Sequence, residues 1–189
     1  MEDNVKRLRQ SVIDAPVVMK GEYAYFVHPL TDGVPRQSSD ILRAAHDLIS
    51  EDVNWNTVDI ILGIEAMGIP LAAALSFSSG KPLIIARKRS YGLPGEVEIG
   101  QSTGYSKGEI YLNDIQSGER VLVVDDVVST GGTLEPILST LEDIGAIIAG
   151  VQIVFEKGDG MERLRKKYGW ALSSLVQLRM AGDKIVLLE

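Results

Sequence analysis

Two adjacent carboxylates, set between apolar runs and followed by a hydroxyl- and glycine-rich turn, are the residues of this chain best placed to do chemistry. They stand in Val121-Leu122-Val123-Val124-Asp125-Asp126-Val127-Val128-Ser129-Thr130-Gly131-Gly132-Thr133. The four apolar residues read as a buried strand that ends in the acidic pair. Successive strand side chains point to opposite faces, so Asp125 and Asp126 cannot both be solvated surface charge. Burying an unpaired carboxylate costs several kcal/mol, so the pair needs partners. Sugar hydroxyls and the hydration shell of Mg²⁺ suit it; a helix cap or a salt bridge to Lys or Arg is the plainer alternative. In the turn, glycine lets the backbone close on a ligand, and a helix start aims free N–H groups at an anion. Thr-Gly-Gly-Thr alone would read as an ordinary turn with a threonine cap. Joined to the acidic pair, it reads as a cradle for a sugar phosphate.

The elements that must position these groups follow from periodicity. Val5 to Ile13 reads as an amphipathic helix, and Val17 to Leu30 as strand and irregular structure. Ser38 or Ser39 can cap a helix over Ile41, Leu42, Ala45, Leu48 and Ile49. Strand-like runs at Val58–Ile64, Leu83–Ala86, Val121–Val124, Ile147–Phe155 and Leu172–Val176 then alternate with helices. Those helices are Ile69–Phe77, with Pro70 tolerated in its first turn, Thr133–Ile144 and Met161–Tyr168. Such alternation predicts an α/β fold with a mostly parallel twisted sheet flanked by helices. Ligands of such sheets bind beyond the carboxyl ends of the strands, where both glycine turns fall. Arg87 to Gly108 breaks the rhythm with six glycines or prolines among Lys88, Arg89 and Tyr91. A mobile flap over a site and a plain mobile hairpin fit that stretch equally well.

Composition narrows the class. A chain of 189 residues fits one domain, 1–189. Its net charge of -7 argues against nucleic acid and anionic membranes as partners. The absence of cysteine removes disulfides, thiolate metal sites and cysteine nucleophiles together. Residues 1–10 are charged, unlike a secretory signal, and no apolar run approaches a membrane span, so a cytoplasmic protein is expected.

The thirteen-residue run resembles the phosphoribosyl pyrophosphate (PRPP) signature of the type I phosphoribosyltransferases. The resemblance implies that Asp125 and Asp126 hold the ribose 2- and 3-hydroxyls while Ser129, Thr130, Gly131, Gly132 and Thr133 cradle the 5-phosphate. Gly63-Ile64-Glu65-Ala66-Met67-Gly68-Ile69-Pro70 is similar to the family's pyrophosphate loop. By that likeness Glu65, Ala66, Met67 and Gly68, with Arg87 and Lys88, bind pyrophosphate, and the peptide just before Met67 is cis. Arg87-Lys88-Arg89 and Leu93-Pro94-Gly95-Glu96, followed by Tyr105, resemble the loop that closes over substrate, here about 87–108. Asp125, Asp126, Lys88 and Tyr105 are the implied catalytic residues. Mg²⁺ is the implied cofactor, held mainly by PRPP and water with no direct protein ligand. The implied fold adds a small N-terminal hood, about 1–35 plus the C-terminal segment, and a homodimer. The likeness runs from about Val17 to Phe155.

Within the family the loop motifs are similar to the adenine phosphoribosyltransferase branch, and the wording of Tyr25-Phe26-Val27-His28-Pro29-Leu30 and Gly100-Gln101-Ser102-Thr103-Gly104-Tyr105 resembles its archaeal hypoxanthine/guanine members. Transfer to hypoxanthine or guanine, giving IMP or GMP plus pyrophosphate, is therefore the leading expectation. Adenine as acceptor, giving AMP, is the runner-up, and a non-catalytic PRPP-binding regulator is a rival of another class. Such regulators need a basic DNA-reading segment, and the residues before Val17 are too few for one. Two departures bear on the acceptor. Ser129 stands where familiar hypoxanthine enzymes carry an aspartate, and Gly104 where adenine enzymes carry a glutamate. Phe26 either stacks on the purine, with Val27 backbone groups reading its edge and Val127 beside them, or is a core aromatic. His28 reads as structural more readily than as a base contact. His46 reads as solvated, and Trp55 and Trp170 as packing residues. The charge run Glu162-Arg163-Leu164-Arg165-Lys166-Lys167 reads as a solvated helix face.

Overall fold

The structure, a computed structural model, describes residues 1–21, 23–102, 107–169 and 171–188. The first third holds α1 (Glu2–Ile13), β1 (Val17–Lys20), β2 (Tyr23–Phe26), α2 (Pro29–Asp32) and α3 (Ser39–Asp52). Next come β3 (Ile60–Ile64), α4 (Gly68–Ser79), β4 (Leu83–Ala86), β5 (Val97–Ser102) and β6 (Lys107–Leu112). The last part is β7 (Arg120–Val128), α5 (Leu134–Ile144), β8 (Ile147–Lys157), α6 (Gly160–Tyr168), β9 (Leu172–Ala181) and β10 (Lys184–Leu187). Six strands form the central sheet in the order β10-β9-β8-β7-β3-β4, all neighbours parallel except β10 on β9. This is the expected α/β architecture.

Alternation along the central strands builds two cores. Ile60, Leu62, Ile64, Val121 and Val123 face α5, α6 and the β5–β6 hairpin, meeting Ile137, Leu138, Leu141, Leu164, Ile99 and Ile110. Ile61, Leu122 and Val124 face the other way onto α1, α3 and α4, meeting Leu8, Ile49, Leu71 and Leu75. A two-sided core explains why these strands are continuously apolar rather than alternating. Register does the positioning. Gly63 pairs with Val124 in β7 and with Ile85 in β4, so the carboxyl ends of the three strands lie side by side. Residues 65–67, 87–88 and 125–128 are thereby gathered at one edge of the sheet.

Two glycines let α4 lie directly on that edge. A Cβ on Gly63 would stand 2.7 Å from Cβ of Ala72, and one on Gly68 would stand 2.7 Å from the Val124 carbonyl oxygen. No larger residue fits either position without displacing backbone.

Three boundaries differ from expectation. β7 does not end at the acidic pair: it runs on to Val128, because Val127 and Val128 keep pairing with Phe155 and Glu156 of β8. The last strand extends to Ala181 and is followed by β10, an antiparallel partner that turns through Gly182 at φ 63°. The 87–108 stretch contains a strand pair, with β5 and β6 antiparallel from Val97↔Leu112 to Ser102↔Lys107. Its first part, 87–96, is the irregular segment. Among the described residues no helix is long and apolar enough to cross a membrane.

Candidate active site

Asp125 and Asp126 are 7% and 8% exposed, inside β7 rather than beyond it. They line a cavity of about 370 Å³ with Tyr25, Thr31, the 64–67 segment, Lys88, Gln101 and residues 127–134. Burial pushes the Asp125 carboxyl up to about 6, while the Asp126 side chain and N–H and the Lys88 charge pull it down. Asp126 is raised further, by burial first and then by the charge and side-chain hydrogen bond of Asp125, with Asp32 adding to it. The N–H of Asp126 donates to Asp125 Oδ1 at 2.9 Å. Burial and mutual repulsion thus disfavour ionisation of both carboxyls, and hydroxyl donors or a cation entering the cavity would favour the ionised form.

Residues 129–133 form the turn between β7 and α5. Gly131 sits at φ 79°, a left-handed conformation that favours glycine. Thr133 stands at the N-cap of α5, but its side chain does not cap: its hydroxyl donates to Gln101 Oε1 at 3.1 Å. A threonine-capped turn is thus ruled out by geometry. The hydroxyl instead ties the β5–β6 hairpin to the turn, and the N–H groups that begin α5 keep no side-chain acceptor.

The second glycine turn leads from β3 into α4. Its cis peptide joins Glu65 and Ala66, one residue earlier than expected. The Glu65 carboxylate accepts from the Lys88 N–H at 3.0 Å and pairs with Arg87 Nε at 3.1 Å. It is occupied in fixing the start of the 87–96 segment, and Ala66, Met67 and Lys88 line the cavity beside it. Within 87–96, Glu96 accepts from Ser90 Oγ, the N–H groups of Tyr91 and Gly92, and Asn113 Nδ2. These contacts, the Ser90 hydroxyl foremost, hold its carboxyl down at about 2.

On the N-terminal side the side chains that reach the cavity are Tyr25 and Thr31. The Tyr25 and Thr31 hydroxyls donate to the Asp32 carboxylate at 2.7 and 2.6 Å, and the His28 N–H adds a third bond at 3.0 Å. Phe26 does not line the cavity. It is 4% exposed, edge-on to Phe155 at 5.9 Å, with Lys157 Nζ 6.0 Å from its ring centre. On a strand only alternate residues share a face, so seating Phe26 in the core turns Tyr25 to the opposite side. The Val27 N–H is spent on the Pro16 carbonyl at 2.8 Å, while Val127 lines the cavity as expected for a wall residue. His28 is structural: 1% exposed, it accepts from the Leu30 N–H at 3.1 Å and meets Ser11 Oγ at 3.1 Å. Burial lowers its pKa to about 4. Tyr105, with Thr103 and Gly104, lies outside the described residues, as does Trp170.

The sequence reading gives no site role to Gln101, Thr31 or the side chains of α6. The charge run on α6 is only partly solvated. Arg165 forms a double contact with Glu156, which is 6% exposed, at 3.2 and 3.0 Å. Arg163 donates to the Thr130 carbonyl in the phosphate turn. Among the described residues no group of three or more His, Cys, Asp or Glu side chains could hold a metal ion.

An acidic pair inside β7, a glycine-rich turn after that strand and a second glycine loop beside it, on one parallel sheet, define an α/β site at the carboxyl edge of the strands. The family model for the phosphoribosyl transferase domain matches residues 35–176, and the chain belongs to that family. It is 48% identical to the hypoxanthine/guanine phosphoribosyltransferase of Ferroglobus placidus, over 98% of both chains. Likeness to the enzyme of that name from Methanobacterium paludis is 49% over 96% of this chain and 95% of the relative. Among solved structures, adenine phosphoribosyltransferase from Rhodothermus marinus superposes with a TM-score of 0.77 at 22% identity, covering 94% of this chain and 100% of that one. The last likeness is one of fold.

Proposed function

We propose that this chain transfers the 5-phosphoribosyl group from PRPP to hypoxanthine or guanine, releasing pyrophosphate and IMP or GMP in purine salvage. The observation that carries the reading is the convergence of Asp125 and Asp126, the 129–133 turn, residues 65–67 and Lys88 on one cavity. Near full-length likeness to hypoxanthine/guanine enzymes supports this choice of acceptor over adenine.

In this reading the N–H groups at 129–133 grip the 5-phosphate, and the ionised acidic pair orients the ribose through its 2- and 3-hydroxyls. As the bond to pyrophosphate breaks, positive charge develops on the ribose ring, close to the two carboxylates. Lys88 and the main-chain donors of the 65–68 loop take up the charge on the leaving group. Held geometry supplies much of the remaining acceleration, so no protein nucleophile is required. The irregular segment 87–96 closes over the bound substrate and keeps water away, and Tyr105 is a further catalytic candidate. Val127, Tyr25 and Thr31 border the space left for the base.

The cavity lining fits Mg²⁺ held mainly by PRPP oxygens and water, with Asp125 and Asp126 facing its hydration shell rather than ligating it directly. Bound there, the ion would neutralise pyrophosphate. We further propose that 1–35 and the C-terminal segment form a hood and that the protein acts as a cytoplasmic homodimer.

The test offers adenine, hypoxanthine, guanine and xanthine in turn, with PRPP and Mg²⁺, and detects nucleotide. Turnover of hypoxanthine or guanine is expected. Turnover of adenine alone sinks the choice of acceptor, and no turnover with any base favours a PRPP-binding regulator.

A further inference from the structure

We infer that Arg163, together with the first turn of α6, is a positioning residue that sets the donor geometry of the phosphate turn. The inference rests on the phosphoribosyl-transfer reading of that turn. Two successive carbonyls of the turn are held from outside by α6. The Gly160 N–H donates to the Ser129 carbonyl at 3.0 Å, and the Arg163 guanidinium donates to the Thr130 carbonyl. A trans peptide is planar, with its C=O and N–H directed oppositely. Fixing the carbonyls of Ser129 and Thr130 against α6 therefore turns the N–H groups of Thr130 and Gly131 away from it. Both residues line the cavity. The outward carbonyls are thus the handles by which two inward donors are aimed.

Packing makes the arrangement specific to this helix. A Cβ on Gly160 would stand 2.7 Å from Gly131 N and 2.7 Å from the Thr130 carbonyl carbon, so only glycine lets α6 approach so closely. Leu164, fully buried, packs under Gly131, 3.2 Å from where a Cβ there would lie. Arg163 also faces Glu135, in the first turn of α5, at 3.6 Å. Glu135 also accepts from Lys167 and Tyr168 at 2.8 and 2.6 Å. One carboxylate thereby joins the helix that begins at the turn to the helix that backs it. A cationic donor on the Thr130 carbonyl also polarises that peptide, strengthening the Gly131 N–H as a donor to an anion.

An aimed donor grips the 5-phosphate equally in the ground and transition states, so its loss weakens binding and leaves the chemical step alone. The experiment compares the full chain with Arg163→Met, which keeps the aliphatic stem, Arg163→Lys and Glu135→Gln. Ribose 5-phosphate binding is measured by calorimetry, and PRPP kinetics with Mg²⁺ and the accepted base. For Arg163→Met the dissociation constant and the KM for PRPP should both rise roughly tenfold, the scale of a lost charged hydrogen bond, with kcat within about twofold. Arg163→Lys should recover part of the loss, and Glu135→Gln should stay near the parent. In ¹⁵N spectra the Thr130 and Gly131 amides should shift less on saturation with ribose 5-phosphate in Arg163→Met.

Unchanged affinity in Arg163→Met overturns the inference, as does a fall in kcat at constant KM. So does an equal loss in Glu135→Gln, which would assign the effect to the helix–helix ion pair. Should Arg163→Met fail to fold, Arg163→Gln takes its place with the same loss of affinity expected, and parent-like affinity in Arg163→Gln overturns the inference. A parent that transfers to no base, yet loses ribose 5-phosphate affinity on Arg163→Met, overturns the transfer reading while leaving the positioning role standing.

Discussion

Asp125→Asn is expected to stabilise the fold near neutral pH while abolishing transfer. Asp125 is 7% exposed, and burial raises its pKa from the ordinary 3.8 to about 6. Between those values the folded chain binds more protons than the unfolded chain, so stability falls as pH climbs from 3.8 to about 6 and is level above. At about 1.4 kcal/mol per unit the gap corresponds to about 3 kcal/mol, present in acid and lost by neutrality. Asparagine has nearly the same shape, carries no charge to desolvate, and its Oδ1 can still accept from the Asp126 N–H, now at 2.9 Å. Coupling to the Asp126 carboxyl trims the figure, so a gain of about 1–3 kcal/mol is expected near pH 7.5 and little near pH 4. Urea unfolding at both pH values measures it, beside a turnover assay in which activity should fall roughly a hundredfold or more. A gain of equal size at both pH values refutes the argument, as does a loss of stability near neutrality.

Gly68→Ala should have the opposite character. Its Cβ would meet the Val124 carbonyl oxygen at 2.7 Å and Asp125 Oδ1 at 3.1 Å. Overpacking of this kind costs roughly 1–3 kcal/mol, and turnover should fall with it, since the displaced atoms belong to the site; thermal unfolding and kinetics equal to the parent would contradict this. Glu96→Gln should leave global stability almost unchanged but speed amide exchange at Tyr91 and Gly92, whose N–H groups the carboxylate accepts. Because folding lowers the Glu96 pKa from 4.5 to about 2, that local order should be complete above 4.5 in the parent and fade as pH falls toward 2. Exchange rates indifferent to the substitution would remove Glu96 as the organiser of the segment.

The sheet was legible because its strands are buried on both faces and therefore apolar without interruption, as at Val58–Ile64 and Val121–Val124. Helices with one apolar stripe were legible for the same reason; Ser38 caps α3 through Asp40 N at 3.2 Å, one of the two caps expected. The acidic pair and the glycine turn were found because their chemistry is improbable in a plain core. What escaped is what lies across space. Phe26 and Tyr25 are both aromatic and adjacent, and only the register of β1 on β2 and the presence of Phe155 decide which enters the core. The Thr133 hydroxyl reaches Gln101, thirty-two positions earlier. Arg163 and Arg165 sit in a run of charges that looks solvated until Thr130 and Glu156 are brought against it. Where β7 stops was missed because β8, its partner, continues, and pairing rather than side-chain type sets the end.

The seat of α4 on the sheet edge bears on how constant the site can be. At Gly63 and Gly68 the first turn of the helix meets the main chain of β3 and β7 directly, with the Ala72 methyl group the nearest side chain at Gly63. The gap between the leaving-group end of the cavity and its sugar end is therefore gauged by peptide units, which have no rotamers to exchange. Warming the protein or remodelling its surroundings changes side-chain populations first, and this spacing does not depend on them. A substrate whose two charged ends are a fixed number of bonds apart is met by a ruler with no moving parts.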